Sequence, residues 1–346
     1  MRAFPVNPVT QLTNHTDVQT TVDERMLLRR ALAGKYDVVR LLGRGGMGSV
    51  YLARDIQLGR PVAIKILKPE LSGSEEQRER FRREAQITAR LSHPNIVPLY
   101  EHGETAGGII YFVMGYVDGE SLAARVRRLG RLWPNETRRL LGELAGALDY
   151  SHRQGVVHCD LKLANVLIES ATGRAMLADF GLAQVVDTPA GAGAVDDASE
   201  AAEAGLAFGT PHYMAPEQAA GEHTVSARTD LYALGVVAYE MLSGRPPFDG
   251  RSFREIAAQH VTQEPPPLAD RAPQASPEVV EVIARCLAKD PAERWPSGRA
   301  FRDALEATAE ERPLHRKLQR VRRNVTRIVG SIAVSIGVLA LGWAAR

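Results

Sequence analysis

Cysteine is scarce in this 346-residue chain: Cys159 and Cys286 are the only two, far apart and without metal-ligand spacing. That argues against a disulfide framework and fits a reducing compartment. No internal repeat is present, which leaves out a repeat array. The first 33 residues lack the apolar core of a secretory signal; polar and threonine-rich, they read as a flexible leader that ends near residue 35. Acidic residues are missing from 312–346, where eight lysines and arginines lie, so the rest of the chain is mildly acidic although the whole carries +2. An acidic body argues against a nucleic-acid binder.

Charge is missing altogether from Ile328 to Ala345. Eighteen helical residues span about 27 Å, enough for a bilayer core. Six arginines and a lysine between 312 and 327 precede the run as a basic linker. By the positive-inside bias they stay cytoplasmic, which predicts a single-pass anchor in the cell membrane with the N-terminal body in the cytosol. Trp343 suits the far interface. The blander reading is a buried terminal helix, because Gly330, Ser331, Ser335, Gly337 and Gly342 dilute the hydrophobicity. Small residues four apart (Ser331 and Ser335, Ala333 and Gly337) permit close helix packing, hence a membrane-mediated dimer.

Between these ends the chain changes character. Val38–Leu42, Val50–Arg54, Val62–Leu67, Ile96–Tyr100 and Ile109–Tyr116 read as strands, with a charged amphipathic helix over Glu75–Leu91. Beyond Gly119 helical patterns dominate, over 121–129, 134–153, 226–243, 252–260, 277–288 and 297–310. Residues 187–207, rich in Ala, Gly, Asp and Glu without apolar periodicity, read as a loop. A β-rich unit over 36–115 and a helical one over 116–311 follow.

The chemistry concentrates in three places. Gly43-Arg44-Gly45-Gly46-Met47-Gly48-Ser49-Val50 lies between two strands, where glycines let backbone amides approach phosphate oxygens. A dinucleotide-binding fold needs a helix directly after such glycines, and here Val50-Tyr51-Leu52-Ala53 continues as strand. A tight hairpin is the plain alternative. Lys65 sits inside the apolar strand Val62–Leu67, which is costly unless an anion meets it; an edge lysine reaching water is the plain reading. Finally, Asp160, Lys162 and Asn165 fall between two apolar runs, and Asp179-Phe180-Gly181 follows fourteen residues after Asn165. An acid, a cation and an amide so placed suit holding phosphates and a metal beside a hydroxyl being deprotonated.

Together these motifs resemble the eukaryotic-type protein kinases, across 36–310, with Ala215-Pro216-Glu217 and Thr229-Asp230-Leu231-Tyr232-Ala233-Leu234-Gly235 in order. Lys162 and Gly209-Thr210-Pro211 resemble the serine/threonine branch. Gly46-Met47 with His93-Pro94-Asn95-Ile96-Val97 looks most like its bacterial membrane-associated members. The resemblance implies a two-lobed α+β kinase fold, with a small β-rich lobe carrying one helix and a larger helical lobe, followed here by the transmembrane helix. It implies ATP and Mg²⁺ as cofactors and Ser/Thr hydroxyls of cytosolic proteins as acceptors. The loop Gly43, Arg44, Gly45, Gly46, Met47, Gly48 and Ser49 would close over the nucleotide. Leu42, Val50, Ala63, Met114 and Leu167 would sandwich the adenine. Lys65, paired with Glu84, would meet the α- and β-phosphates and Lys162 the γ-phosphate. Asp160 would act as base, with Asn165 and Asp179 on the metal. Glu217 would be buried against Arg294, and Asp230 would hold the catalytic loop.

Several positions depart from the family pattern. Cys159 stands where arginine is usual, and cannot pair with a phosphate on the activation segment. Either that segment needs no phosphate, the preferred reading given Asp187, Asp196, Asp197, Glu200 and Glu203 on it, or a partner orders it. Leu163 replaces a proline, and Gly115 an acidic hinge residue. Arginines at 125, 127, 128, 131, 138 and 139 suggest acidic substrates or, more plainly, a solvated helical face. The rival from another class is a nucleotide-binding pseudokinase scaffold; a small-molecule phosphotransferase fits poorly with Gly209–Glu217, which resembles a protein-substrate platform.

Overall fold

The computed structural model describes residues 24–45, 48–67, 85–86, 88–105, 107–180, 184–185, 211–222 and 225–308. The N-terminal part is a five-stranded antiparallel sheet ordered β1 (Tyr36–Arg44), β2 (Gly48–Asp55), β3 (Pro61–Leu67), β5 (Ile110–Gly115) and β4 (Leu99–Glu104). Cross-strand partners share a face of a pleated sheet. Val50 faces Lys65, Leu52 faces Ala63, and Ala63 faces Met114 in the ladders, so these side chains line one face. Tyr51, Ile64, Ile66, Tyr111 and Val113 line the other, in a buried cluster.

That second face corrects the expectation of a flexible leader up to residue 35. Residues 24–31 form a helix, α1, laid on it. Leu28 and Leu32, one helical turn apart, are 0% and 5% exposed within the cluster. Burying each contributes about 1.5–3 kcal/mol. The first 23 residues lie outside the described part. Two leucines do not make a stripe on paper; the sheet surface they cover gives them meaning.

The strand expected over Ile96–Tyr100 also differs. Pro98 has no N–H to give a ladder, and the strand starts at Leu99. Ile96 makes only an isolated bridge to Leu177. Of the helix expected over Glu75–Leu91, residues 85, 86 and 88 are helical, and 75–84 lie outside the described residues.

The second lobe holds α2 (Leu122–Leu129), α3 (Pro134–Arg153), α4 (Pro216–Ala219), α5 (Ala227–Ser243), α6 (Phe253–Thr262), α7 (Leu268–Arg271), α8 (Pro277–Cys286) and a helix over 298–308, α9. All but the short α4 and α7 match the sequence periodicity. Helix α5 is buried almost all round and forms the centre of the main core. Ser226 caps its start by accepting from Arg228, and Gly244 ends it at φ 83°. A β-carbon at 244 would sit 2.1 Å from the Gly130 carbonyl oxygen, so only glycine fits. Two small sheets flank the loops of interest: β6 (Gly119–Ser121), β8 (Val166–Glu169) and β9 (Ala175–Leu177), and the pair β7 (Val156–Val157) and β10 (Gln184–Val185).

Among the described residues no helix is long and apolar enough to cross a membrane. The expected basic linker and the run 328–345 lie outside them.

One buried group in this lobe has a pH consequence. His260 on α6 is fully buried, edge-on to Phe248, with Nδ1 2.9 Å from the Tyr232 hydroxyl. Its Nε2 has no hydrogen-bond partner. Burial, reinforced by the Lys289 ammonium, lowers its pKa to about 4. The unfolded chain takes up a proton below about 6.5 that the folded chain refuses, so stability is full above that pH and falls towards pH 4. On the order of 2 kcal/mol is lost between pH 7 and pH 5 through this group. Urea unfolding of His260→Gln at the two pH values is expected to show that much less pH dependence; an unchanged slope would rule the histidine out.

Candidate active site

The site lies where the small sheet meets the second lobe. Lys65 comes from β3, on the sheet face that looks into the cleft, and its side chain is 8% exposed. Its Nζ is 2.8 Å from Asp179 Oδ1, joining the two lobes through one ion pair. Burial raises the Asp179 carboxyl, but the charge and hydrogen bond of Lys65, helped by His158 and Lys162, outweigh it and hold the group below the usual carboxylate range.

Asp160 and its neighbours form the second half. Lys162 Nζ donates to Asp160 Oδ2 at 2.7 Å. The Asn165 amide donates to the Asp160 carbonyl at 2.9 Å and to Oδ2 at 3.1 Å. With its NH₂ spent on Asp160, Asn165 has Oδ1 left for another partner. The halves are tied by backbone: the Ala178 N–H donates to the Asn165 carbonyl at 2.8 Å, one residue before Asp179. Lys65, Asp160, Asn165 and Asp179 therefore converge.

Hydrogen bonds to backbone set this loop. Asp230 on α5, 1% exposed, accepts from the His158 N–H at 2.8 Å and the Cys159 N–H at 2.9 Å, with His152 Nε2 2.7 Å away. Burial pushes that carboxyl up, and the bond to His152 pulls it below its ordinary range. Gln218, on α4, donates to the Cys159 carbonyl at 3.1 Å. Cys159 and Asp179 are the two non-glycine residues with positive φ among the described ones, at 63° and 59°. Left-handed backbone of this kind costs about 1–2 kcal/mol per residue and persists where the surroundings hold it. Here Asp230 and Gln218 grip Cys159 from both sides. No sequence pattern signals that conformation.

The remaining expected residues divide. Leu42, Val50, Met114 and Leu167 are half-buried and Ala63 is buried, with Val50, Ala63 and Met114 on the sheet face that carries Lys65. Arg44 and Ser49, by contrast, are cross-strand partners on the outer face, one register step from the Gly43–Val50 pair, so their side chains do not enter the cleft. Only their backbone remains available to a nucleotide. Gly45 donates its N–H to the Gly48 carbonyl at 2.8 Å, closing the turn. Gly48 is glycine for a different reason than phosphate approach: a β-carbon there would lie 1.8 Å from the Ile66 carbonyl oxygen. Gly46, Met47, Glu84 and Gly181 lie outside the described residues. At the hinge, a β-carbon on Gly115 would touch the Pro98 ring at 3.1 Å, while the Gly115 N–H donates to the Pro98 carbonyl at 2.9 Å. Leu163, in place of proline, is buried at 2% exposure in the main core.

Arg125 pairs with Glu120 at 3.0 Å and Glu136 at 2.7 Å, and Arg128 also pairs with Glu120. These guanidiniums are spent on neighbouring carboxylates, which favours the solvated-face reading of the arginine row.

The side-chain oxygens of Asp179 and Asn165 are of the kind that suits Mg²⁺. Among the described residues no group of three or more His, Cys, Asp or Glu could hold a metal unaided. A magnesium ion carried on nucleotide phosphates needs only one or two protein oxygens.

The protein kinase domain profile matches residues 36–306. The chain is 42% identical over 287 residues to the serine/threonine-protein kinase PknA of Mycobacterium tuberculosis, covering 82% of this chain and 63% of PknA. It is 38% identical to the serine/threonine-protein kinase pkn3 of Myxococcus xanthus, covering 84% of this chain and 53% of that one. It therefore spans less than two thirds of the length of these relatives. Among solved structures, the PknI kinase domain of Mycobacterium tuberculosis superposes with a TM-score of 0.61 at 33% identity, covering 79% of this chain and 96% of that domain.

Proposed function

The chain belongs to the protein kinase family, and from that premise we propose that it transfers the γ-phosphoryl group of ATP to serine and threonine hydroxyls of proteins, anchored to the membrane through residues 328–345. The observation that carries this reading is the convergence of the Lys65–Asp179 pair and the Asp160–Lys162–Asn165 cluster on one cleft, linked through Ala178. Bound Mg²⁺–ATP supplies the transferable group and neutralises charge on its phosphates. Lys65 would position the phosphates and Asn165 and Asp179 would hold the metal, while Lys162 steadies Asp160. Asp160 accepts the proton of the acceptor hydroxyl. Most of the rate enhancement then comes from positioning and fixed charge. By this reading the kinase lobes face the cytoplasm, and the spacing of Ser331 and Ser335 and of Ala333 and Gly337 suits close helix packing, hence a dimer.

The purified chain, given γ-labelled ATP, Mg²⁺ and a general protein acceptor, is expected to label serine and threonine but not tyrosine. Absence of label, with nucleotide still bound, would leave only a pseudokinase scaffold.

The departure at Cys159 bears on regulation. Asp230 and Gln218 hold the backbone at 159 without a phosphate, and Cys159 offers no guanidinium to receive one from the activation segment. Phosphorylation of Thr188 or Ser199 is therefore expected to change turnover less than about twofold, far below the effect of an ordering arginine–phosphate contact. Comparing kcat of Thr188→Ala and Ser199→Ala with that of the wild type, before and after autophosphorylation, checks this. A large rise on phosphorylation would sink it.

A further inference from the structure

Helix α1 does more than cover apolar surface. Glu24, the first described residue of this helix, places one carboxylate oxygen against three groups of the first hairpin. Oε2 accepts from Arg44 Nη2 at 3.0 Å, Ser49 Oγ at 3.0 Å and the Tyr51 hydroxyl at 2.6 Å. Arg44 and Ser49 are cross-strand partners that bracket the tip of the glycine-rich loop. Tyr51 lies two residues further along β2 on the same face. The carboxylate thus ties together both stems of the loop, from the side opposite the cleft. Ser49 is 3% exposed and Tyr51 fully buried, so neither polar group has ready water in exchange. Burial, reinforced by Glu24, holds the Tyr51 phenol well above its ordinary range, so it remains a donor at neutral pH.

From this we infer that Glu24 is a positioning residue for nucleotide binding: it holds the two stems of the glycine-rich loop together at Arg44 and Ser49 and keeps the Arg44 guanidinium on the outer face. A glycine-rich hairpin has much conformational freedom to lose when it closes over phosphates. Pinning both stems beforehand reduces that loss, and preorganisation of this kind appears as affinity. The clasp acts through Arg44 and Ser49, and Glu24 itself has no place in the cleft. It also couples the loop to the chain N-terminal to the kinase domain, since α1 is docked by Leu28 and Leu32.

The inference rests on the nucleotide reading of the cleft, and its test needs no turnover. Binding of a non-hydrolysable Mg²⁺–ATP analogue to the whole chain is measured by calorimetry. Glu24→Gln, which keeps the shape and removes the charge, is expected to weaken binding about three- to tenfold, the scale of one charge-assisted contact. Where turnover is measurable, KM for ATP rises by the same factor while kcat and the KM for protein acceptor stay within about twofold, the signature of lost ground-state binding. Ser49→Ala is expected to move binding the same way, and to add little in the Glu24→Gln background because the two share one contact. Arg29→Ala removes the exposed Arg29–Asp37 pair, 3.3 Å long, from the same helix, and should leave the affinity unchanged. Unchanged analogue affinity in Glu24→Gln overturns the inference. So does a fall in melting temperature with kcat and both KM values moving together, because the clasp would then be structural alone. A wild type that binds the analogue but transfers no phosphate overturns the kinase proposal and leaves this one standing; one that binds no analogue overturns both.

Discussion

Asp160→Asn is expected to lower kcat by about 10²- to 10⁴-fold, the range that a positioned general base contributes. Asparagine keeps the size of the side chain and an oxygen that can still accept from Lys162, whose Nζ lies 2.7 Å from Oδ2. The fold and the affinity for Mg²⁺–ATP should therefore stay within about twofold, since the substitution leaves the positioning groups in place. What is lost is the ability to take the hydroxyl proton as the phosphoryl group moves. Phosphate incorporation into a protein acceptor, set beside analogue binding, separates the two effects. Equal incorporation by the variant and the wild type would remove this site from the reaction.

The largest expected effect on stability lies away from the cleft. Arg294 is fully buried and Glu217 is 5% exposed. They form a two-pronged pair, Nη1 to Oε1 at 2.9 Å and Nη2 to Oε2 at 2.8 Å. The other guanidinium protons go to the carbonyls of Ala288, Arg228 and Lys289, at 2.8, 3.0 and 2.9 Å. Thr229 donates a further bond to Glu217 at 2.9 Å. All five N–H groups of the arginine are thus satisfied. Such a pair is not strongly stabilising by itself, because both charges had to leave water. Removing one partner is another matter, since it strands the other charge in the core. Arg294→Ala is expected to cost about 3–5 kcal/mol, and Arg294→Lys a large part of that, because an ammonium cannot reproduce the fork. Urea unfolding at neutral pH measures both. A loss below about 1 kcal/mol, typical of exposed pairs, would mean that water reaches the pair. Because Glu217 lies in the first turn of α4, which also carries Gln218, the damage should reach Cys159 and the catalytic loop.

Much of the site was legible because its residues are costly anywhere else. A lysine inside the run Val62–Leu67 is costly to bury without an anion; it is buried and meets Asp179, a partner the sequence did not single out for it. The spacing of Asp160, Lys162 and Asn165 is short enough that one loop must bring them together. Long helices such as α3 and α5 were legible as helical patterns over 134–153 and 226–243. Other features had no such local signal. Arg44 and Ser49 sit in a nucleotide-binding motif, yet the pleat turns their side chains to the outer face. Residues 24–32 looked like leader because Leu28, Leu32 and Glu24 are unremarkable until a sheet lies beneath them. Pro98 shifted the start of β4, and the left-handed backbone at Cys159 depends on Asp230, some seventy residues away in sequence.

By itself, then, the amino-acid sequence determined the kinase family, the two-lobed plan and the identity of the groups that meet in the cleft, since local pattern and the cost of burying charge are properties of short segments. The tertiary structure alone decided which face each side chain took, what holds the residue before Asp160, and that Glu24 clasps the glycine-rich loop. Those depend on contacts between segments far apart in the chain, and packing and hydrogen bonding across such distances exist only once the chain has folded.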